Sequence, residues 1–120
     1  MRLRRTLQAA TLAAAAAVPT LLAGAPAQAQ APVLEATACD RQVCVGYDGD
    51  KNGYYASATG FGYYGHVDLW GPGISFRNSP SKQDPSISAN GVGSTWLCAH
   101  GWKEQSGNFI DMGFPCVWVA

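Results

Sequence analysis

Three observations predict an all-β fold for this chain, a small antiparallel β-sandwich of Ig-like or barrel-like form stapled by two disulfides. All but one of its 14 glycines lie at or beyond Gly46, and the turns they mark recur about every 8 to 12 residues, with aromatic and β-branched residues filling the intervals. All four cysteines, Cys39, Cys44, Cys98 and Cys116, fall in the same part of the chain; an even count in a short exported sequence reads as a disulfide framework. Nowhere after residue 29 do apolar residues repeat at the period of an amphipathic helix.

Residues 1–29 have the layout of a secretory signal peptide. Arg2, Arg4 and Arg5 form a basic head, Leu7 to Leu22 an Ala- and Leu-rich run, and Ala27-Gln28-Ala29 places small residues where a signal peptidase cuts, after Ala29. A membrane anchor is the poorer reading, since Pro19 and Pro26 interrupt the run and about 20 uninterrupted apolar residues are needed to span a bilayer. The head resembles secretory leaders of high-GC Gram-positive bacteria. The sequence therefore predicts a secreted, extracellular protein, with residues 30–38 as a flexible arm and 39–120 as a single β domain. No later apolar run is long enough to insert the mature chain into a membrane.

Loss of the leader leaves five basic residues, Arg41, Lys51, Arg77, Lys82 and Lys103, against eight acidic ones, a net charge of −3. The five are scattered. A phosphate-binding surface needs clustered cations, so nucleic acid is excluded as a partner. A domain of this size buries a modest core and gains much from covalent staples.

The elements follow in order. Strands are expected at Val43 to Asp48, Tyr54 to Thr59, Tyr64 to Trp70, Ile74 to Asn78, Thr95 to Lys103, Phe109 to Met112 and Pro115 to Val119. Lys82 to Gly93 is the longest weakly patterned stretch, with room for one short edge strand at Ser86 to Ala89. Of the three possible cysteine pairings, Cys39–Cys44 and Cys98–Cys116 are favoured: the first closes a tight turn through Asp40, Arg41, Gln42 and Val43, and the second suits neighbouring antiparallel strands. A zinc site from the same four is disfavoured by the absence of paired C-x-x-C spacing. The second disulfide gathers Trp96, Trp102 and Trp118 towards one side. Tryptophan packed on a disulfide is a common sandwich core, and at least two of the three are expected there.

Gly62 to Gly73 holds the candidate site. Side chains of a strand leave alternately on opposite faces, so Val67 and Leu69 point one way and Tyr64, His66, Asp68 and Trp70 the other. Gly71-Pro72-Gly73 ends the strand, because proline has no ladder donor. His66 and Asp68 stand about 7 Å apart on one face, with His100 able to approach from another strand. Catalysis would need a nucleophile or second carboxylate within hydrogen-bond reach. The chain has no Gly-x-Ser-x-Gly elbow, no His-Glu-x-x-His and no evident carboxylate pair, and the reading is non-enzymatic, without catalytic residues. Asp48, Asp50 and Asn52, with Gly53, match the first half of a calcium loop. The twelfth position is Thr59, and the same residues suit a hairpin turn, so no cofactor is assigned and calcium stays a weak candidate.

Aromatic side chains are the stronger lead. Tyr47, Tyr54, Tyr55, Phe61, Tyr63 and Tyr64 crowd the first half of the domain. Adjacent tyrosines in a strand cannot both face the core, so one of each pair reaches solvent. Exposed tyrosine beside Asp and His suits stacking on sugars or anchoring a protein partner.

The order Gly65-His66-Val67-Asp68-Leu69-Trp70-Gly71-Pro72-Gly73, Asn78-Ser79, Trp96-Leu97-Cys98-Ala99 with Trp102, and Gly113-Phe114-Pro115-Cys116-Val117 resembles small exported actinobacterial β-rich proteins of uncharacterised function. The resemblance implies a compact β domain and no particular activity. The sequence thus points first to a secreted, non-catalytic interaction protein that binds an extracellular protein, such as a hydrolase inhibitor with Asn78 to Gly93 as its loop, or a cell-surface or spore-envelope component. A carbohydrate- or cell-wall-binding module comes second, with polysaccharide on Tyr64 and Trp70. An antimicrobial or toxin-like protein comes third.

Overall fold

Alternation of apolar and polar residues produces ten strands in a computed structural model that describes residues 36–120. The leader expected at 1–29 and the first part of the expected arm, 30–35, lie outside the described residues. Strands β1 (Ala36–Asp40), β2 (Val43–Asp50), β3 (Gly53–Gly60) and β7 (Ser86–Gly91) form one antiparallel sheet in the order β1-β2-β3-β7. The second sheet has the order β10-β8-β4-β5, built from β4 (Tyr64–Gly71), β5 (Ile74–Asn78), β8 (Trp96–Gln105) and β10 (Cys116–Trp118). The short β6 (Lys82–Gln83) adds to β4, and β9 (Asn108–Gly113) to β8.

The two sheets bury their inner faces against each other. Val43, Val45, Tyr47, Tyr54, Ala56 and Ala58 from one sheet meet Val67, Leu69, Ile74, Leu97 and Ala99 from the other, with Val119 just beyond β10. Burial of these apolar groups supplies the main driving force for folding. Paired tyrosines divide as expected: Tyr54 and Tyr63 are buried, whereas Tyr55 and Tyr64 are half-exposed. Burial, with Asp68 nearby, pushes the Tyr63 phenol up to about 12. Among the described residues no helix is long and apolar enough to cross a membrane.

Both disulfides are as expected, Cys39–Cys44 and Cys98–Cys116, and each joins residues directly opposite in an antiparallel pair. The expected arm at 30–38 is corrected at its end, because Ala36, Thr37 and Ala38 are the first part of β1. Cys39 faces Cys44 across the Arg41–Gln42 turn, so the ladder continues upstream to Ala36 opposite Tyr47. Asn78 to Gly93 is likewise no free loop, since β6 pairs with β4 and β7 forms the edge of its sheet along β3.

The tryptophan core is overturned. Trp96 and Trp118 are 55% and 47% exposed, and Trp102 is half-buried on the same outward face. Leu97, Ala99 and Val119 take the inward positions. Facing sheets pack about 10 Å apart, and inward Val, Leu and Ala fill that space, so the wide indoles and the disulfide lie outside.

Candidate functional site

The face of β4 singled out by alternation is the centre of a larger surface. Antiparallel register sets Asp68 opposite His100, His66 opposite Trp102 and Trp70 opposite Cys98, so outward residues of β4 and β8 share one face. Gly65 permits this close pairing, because a Cβ there would run into the Trp102 carbonyl.

Asp68 is the hub of the polar part and is only 6% exposed. Its Oδ1 accepts a hydrogen bond of 2.6 Å from Asn78 Nδ2 on β5, and its Oδ2 one of 3.0 Å from Trp102 Nε1 on β8. His66 Nε2 stands 3.6 Å from Asp68 Oδ1, and His66 Nδ1 lies 2.8 Å from Glu104 Oε2. The same Glu104 oxygen accepts the Ser81 hydroxyl at 2.6 Å. Hydrogen bonds from Ser81 and then His66 hold the Glu104 carboxyl below its usual value. Each of these groups is engaged with another side chain, as burial of polar atoms requires.

The order Ser81, Glu104, His66 also bears on chemistry. A hydroxyl nucleophile needs a base bonded to it, with the acid behind the base. Here the carboxylate lies between hydroxyl and imidazole. That arrangement fixes His66 and gives Ser81 a poor proton acceptor.

Aromatic rings cover this network. Phe76 on β5 lies 5.4 Å from Trp70, Trp70 is 5.6 Å from Phe114, Phe114 stacks on His100 at 4.9 Å, and His100 reaches Trp102 at 4.1 Å. These five rings form one continuous chain. His66 makes an edge contact with Phe109 of β9, and Trp96 and Trp118 pair edge to face beside the Cys98–Cys116 disulfide. Trp70 therefore packs with phenylalanines and not with Trp96 or Trp118.

A turn fastens Phe114 in place. Gly113 has φ 146°, and a Cβ on it would meet the Asp40 carbonyl, so only glycine suits the position. The amide of Phe114 donates to Asp40 Oδ2 at 2.8 Å, and that bond, with Arg41 beside it, lowers the Asp40 pKa. Arg41 also bridges to Asp111 Oδ1 at 3.2 Å. Burial opposes ionisation of Asp111, but the Gly113 amide, Arg41 and His100 together keep its pKa below the usual value. His100 Nε2 is 3.2 Å from Asp111 Oδ1, yet the two are misaligned and the buried nitrogen has no hydrogen-bond partner among the described residues.

Of the predicted residues, His66, Asp68 and Trp70 are brought together, with Asp68 beneath the surface and not on it. Tyr64 is half-exposed at the far end of β4, opposite Gln83 of β6, and takes no part in the ring chain. Sequence reasoning missed Phe76, Asn78, Glu104, Phe109 and Phe114. Glu104 was available, since it lies two residues after Trp102 on an alternating strand. Asp48, Asp50 and Asn52 lie at the β2–β3 hairpin, where Asp50 Oδ1 accepts the Asn52 amide at 2.8 Å, the local bond typical of an Asx turn. No family model, curated protein or solved structure matches this chain, and the site rests on its own geometry.

Proposed function

We propose that this is a secreted, non-catalytic interaction protein that binds an extracellular protein through the outer face of β4, β5 and β8. One observation carries the reading. Phe76, Phe109, Phe114, Trp96 and Trp118 are all at least 47% exposed on one side of the second sheet, an apolar aromatic concentration unusual for a surface without a partner. Aromatic anchors with few rotatable bonds are what protein interfaces use to gain affinity at small entropic cost. The polar groups beneath them are engaged with one another, which leaves the face suited to apolar contact more than to the hydroxyls of a sugar. The two disulfides agree with an oxidising, extracellular setting. A hydrolase inhibitor and a cell-envelope component are both instances of this class.

The test compares the wild-type protein with a Phe76→Arg/Phe114→Arg variant. Extracellular proteases and amylases are assayed for inhibition, and cell-envelope extract is passed over each protein immobilised. A protein held by the wild type at fixed stoichiometry and released by the variant at unchanged Tm supports the reading. Identical behaviour of both proteins refutes it, as does a stable homodimer in which the rings are already covered.

A further inference from the structure

The opposite face of the sandwich carries a different surface. Outward residues of the β1-β2-β3-β7 sheet align in rows that cross the strands. Thr37, Gly46, Ser57 and Ser88 form one row, and Cys39, Cys44, Thr59 and Ser86 the next. Four strands at about 4.8 Å spacing make each row about 14 Å long. Small side chains in both rows leave two shallow hollows that meet at Ser57 and Thr59.

One hollow, of about 350 Å³, runs from Ser57 and Thr59 over Ser86 and Ser88 with Tyr55 at its side. The other, of about 280 Å³, runs from the same two residues over Gly46 and Thr37 with Phe61 at its side. Tyr55 and Phe61 are each 49% exposed, so each hollow has one accessible ring. Among the described residues none of the hydroxyls of Thr37, Ser57, Thr59, Ser86 and Ser88 hydrogen-bonds to another side chain or to the backbone. Among the described residues no charged side chain lines either hollow.

We propose that this groove is a second binding site, which takes one strand of an uncharged polysaccharide across β1, β2, β3 and β7. Each side-chain hydroxyl is both donor and acceptor with a rotatable hydrogen, the match for sugar hydroxyls of either polarity. The rings of Tyr55 and Phe61 offer the apolar face on which the C–H side of a pyranose rests. Charge selects among glycans. Among the described residues Asp48, opposite Tyr55, is the carboxylate on the flanking row, and no cation lines the groove, so a polyanion finds repulsion and no counter-charge.

The experiment measures retention of the folded protein on insoluble cellulose and chitin, and its retardation in gels containing soluble neutral glucans. The wild type is expected to bind at least one of these. Tyr55→Ala and Phe61→Ala are each expected to weaken binding about tenfold, the loss of one ring contact, and Ser57→Arg, which fills the floor where the hollows meet, to abolish it. Phe76→Arg, on the other face, leaves it unchanged. Matching Tm values for the variants keep misfolding separate from lost binding. No binding to any uncharged glycan overturns the proposal, as does binding confined to an anionic polymer such as a teichoic acid, or binding lost with Phe76→Arg and kept with Tyr55→Ala.

Discussion

On the outer face of β4 and β8, Trp102 donates to Asp68 and His66 bonds to Glu104 among a chain of rings, with His66 and Asp68 3.6 Å apart, whereas on the outer face of β2 and β3 the hydroxyls of Ser57 and Thr59 stand open. Both faces arise from the same alternation, and their inner sides join in one aliphatic core. Side-chain size makes the difference. Wide rings cover the polar residues next to them, and a covered carboxylate or indole N–H must find an internal partner. Small residues leave each hydroxyl in water, where no network is needed. One face therefore presents rings over bonded polar groups, and the other presents small side chains with open hydroxyls along a shallow groove.

The comparison can be broken at the disulfides first. Each face has one, Cys98–Cys116 with a separation of 18 residues and Cys39–Cys44 with a separation of 5. Replacing the first pair by alanine is expected to cost about 3 kcal/mol and the second about 2 kcal/mol, from the loop each no longer closes in the unfolded chain. Urea denaturation of both variants checks the order.

Next comes Asp68→Ala, which leaves the Asn78 amide and the Trp102 indole without their acceptor. A loss of about 2 kcal/mol is expected, together with a change in tryptophan fluorescence as Trp102 is released.

Titration gives a smaller effect with a definite sign. The carboxyls of Asp40, Glu104 and Asp111 are held below their usual values in the folded state. The stability they contribute is complete above the ordinary carboxylate range and is lost as pH falls through it, so Tm should decline below about pH 4. Glu104→Gln should shallow that decline. At the other extreme Tyr63, neutral and buried, keeps its contribution below its ordinary value of 10.0 and loses it as pH rises towards about 12.

The smallest effect belongs to the other face. Ser57→Ala and Ser88→Ala remove no bond within the protein, and each should change stability by less than about 0.5 kcal/mol. A loss as large as that of Asp68→Ala would show that the hydroxyls are structural and would erase the contrast.

Local pattern made much of this architecture legible. The inward turn of Val67 and Leu69, the division within each tyrosine pair, both cysteine pairings and the edge strand near Ser86 follow from period and spacing. The inward side of β8 was harder to read. Trp96 and Trp102 on one side and Leu97 and Ala99 on the other are both apolar, and alternation separates two faces without saying which is the core. Volume decides that, and volume depends on the facing sheet. The site was hidden for a similar reason: Phe114, which packs on Trp70, has its amide held by Asp40, 74 residues away, and Ser81 meets Glu104 across 23 residues.

Each disulfide ties neighbouring strands of a single sheet, so no covalent bond other than the chain itself crosses between the sheets. A pull applied to the two outer faces at once would pass through the aliphatic interior and the few segments that cross over. Were the protein to tether one surface to another, its breaking strength would be set by the packed core and by the few polar ties between the sheets, such as the Tyr54 hydroxyl to the Pro72 carbonyl and the Phe114 amide to Asp40, and a reducing agent would soften each sheet without cutting the tether.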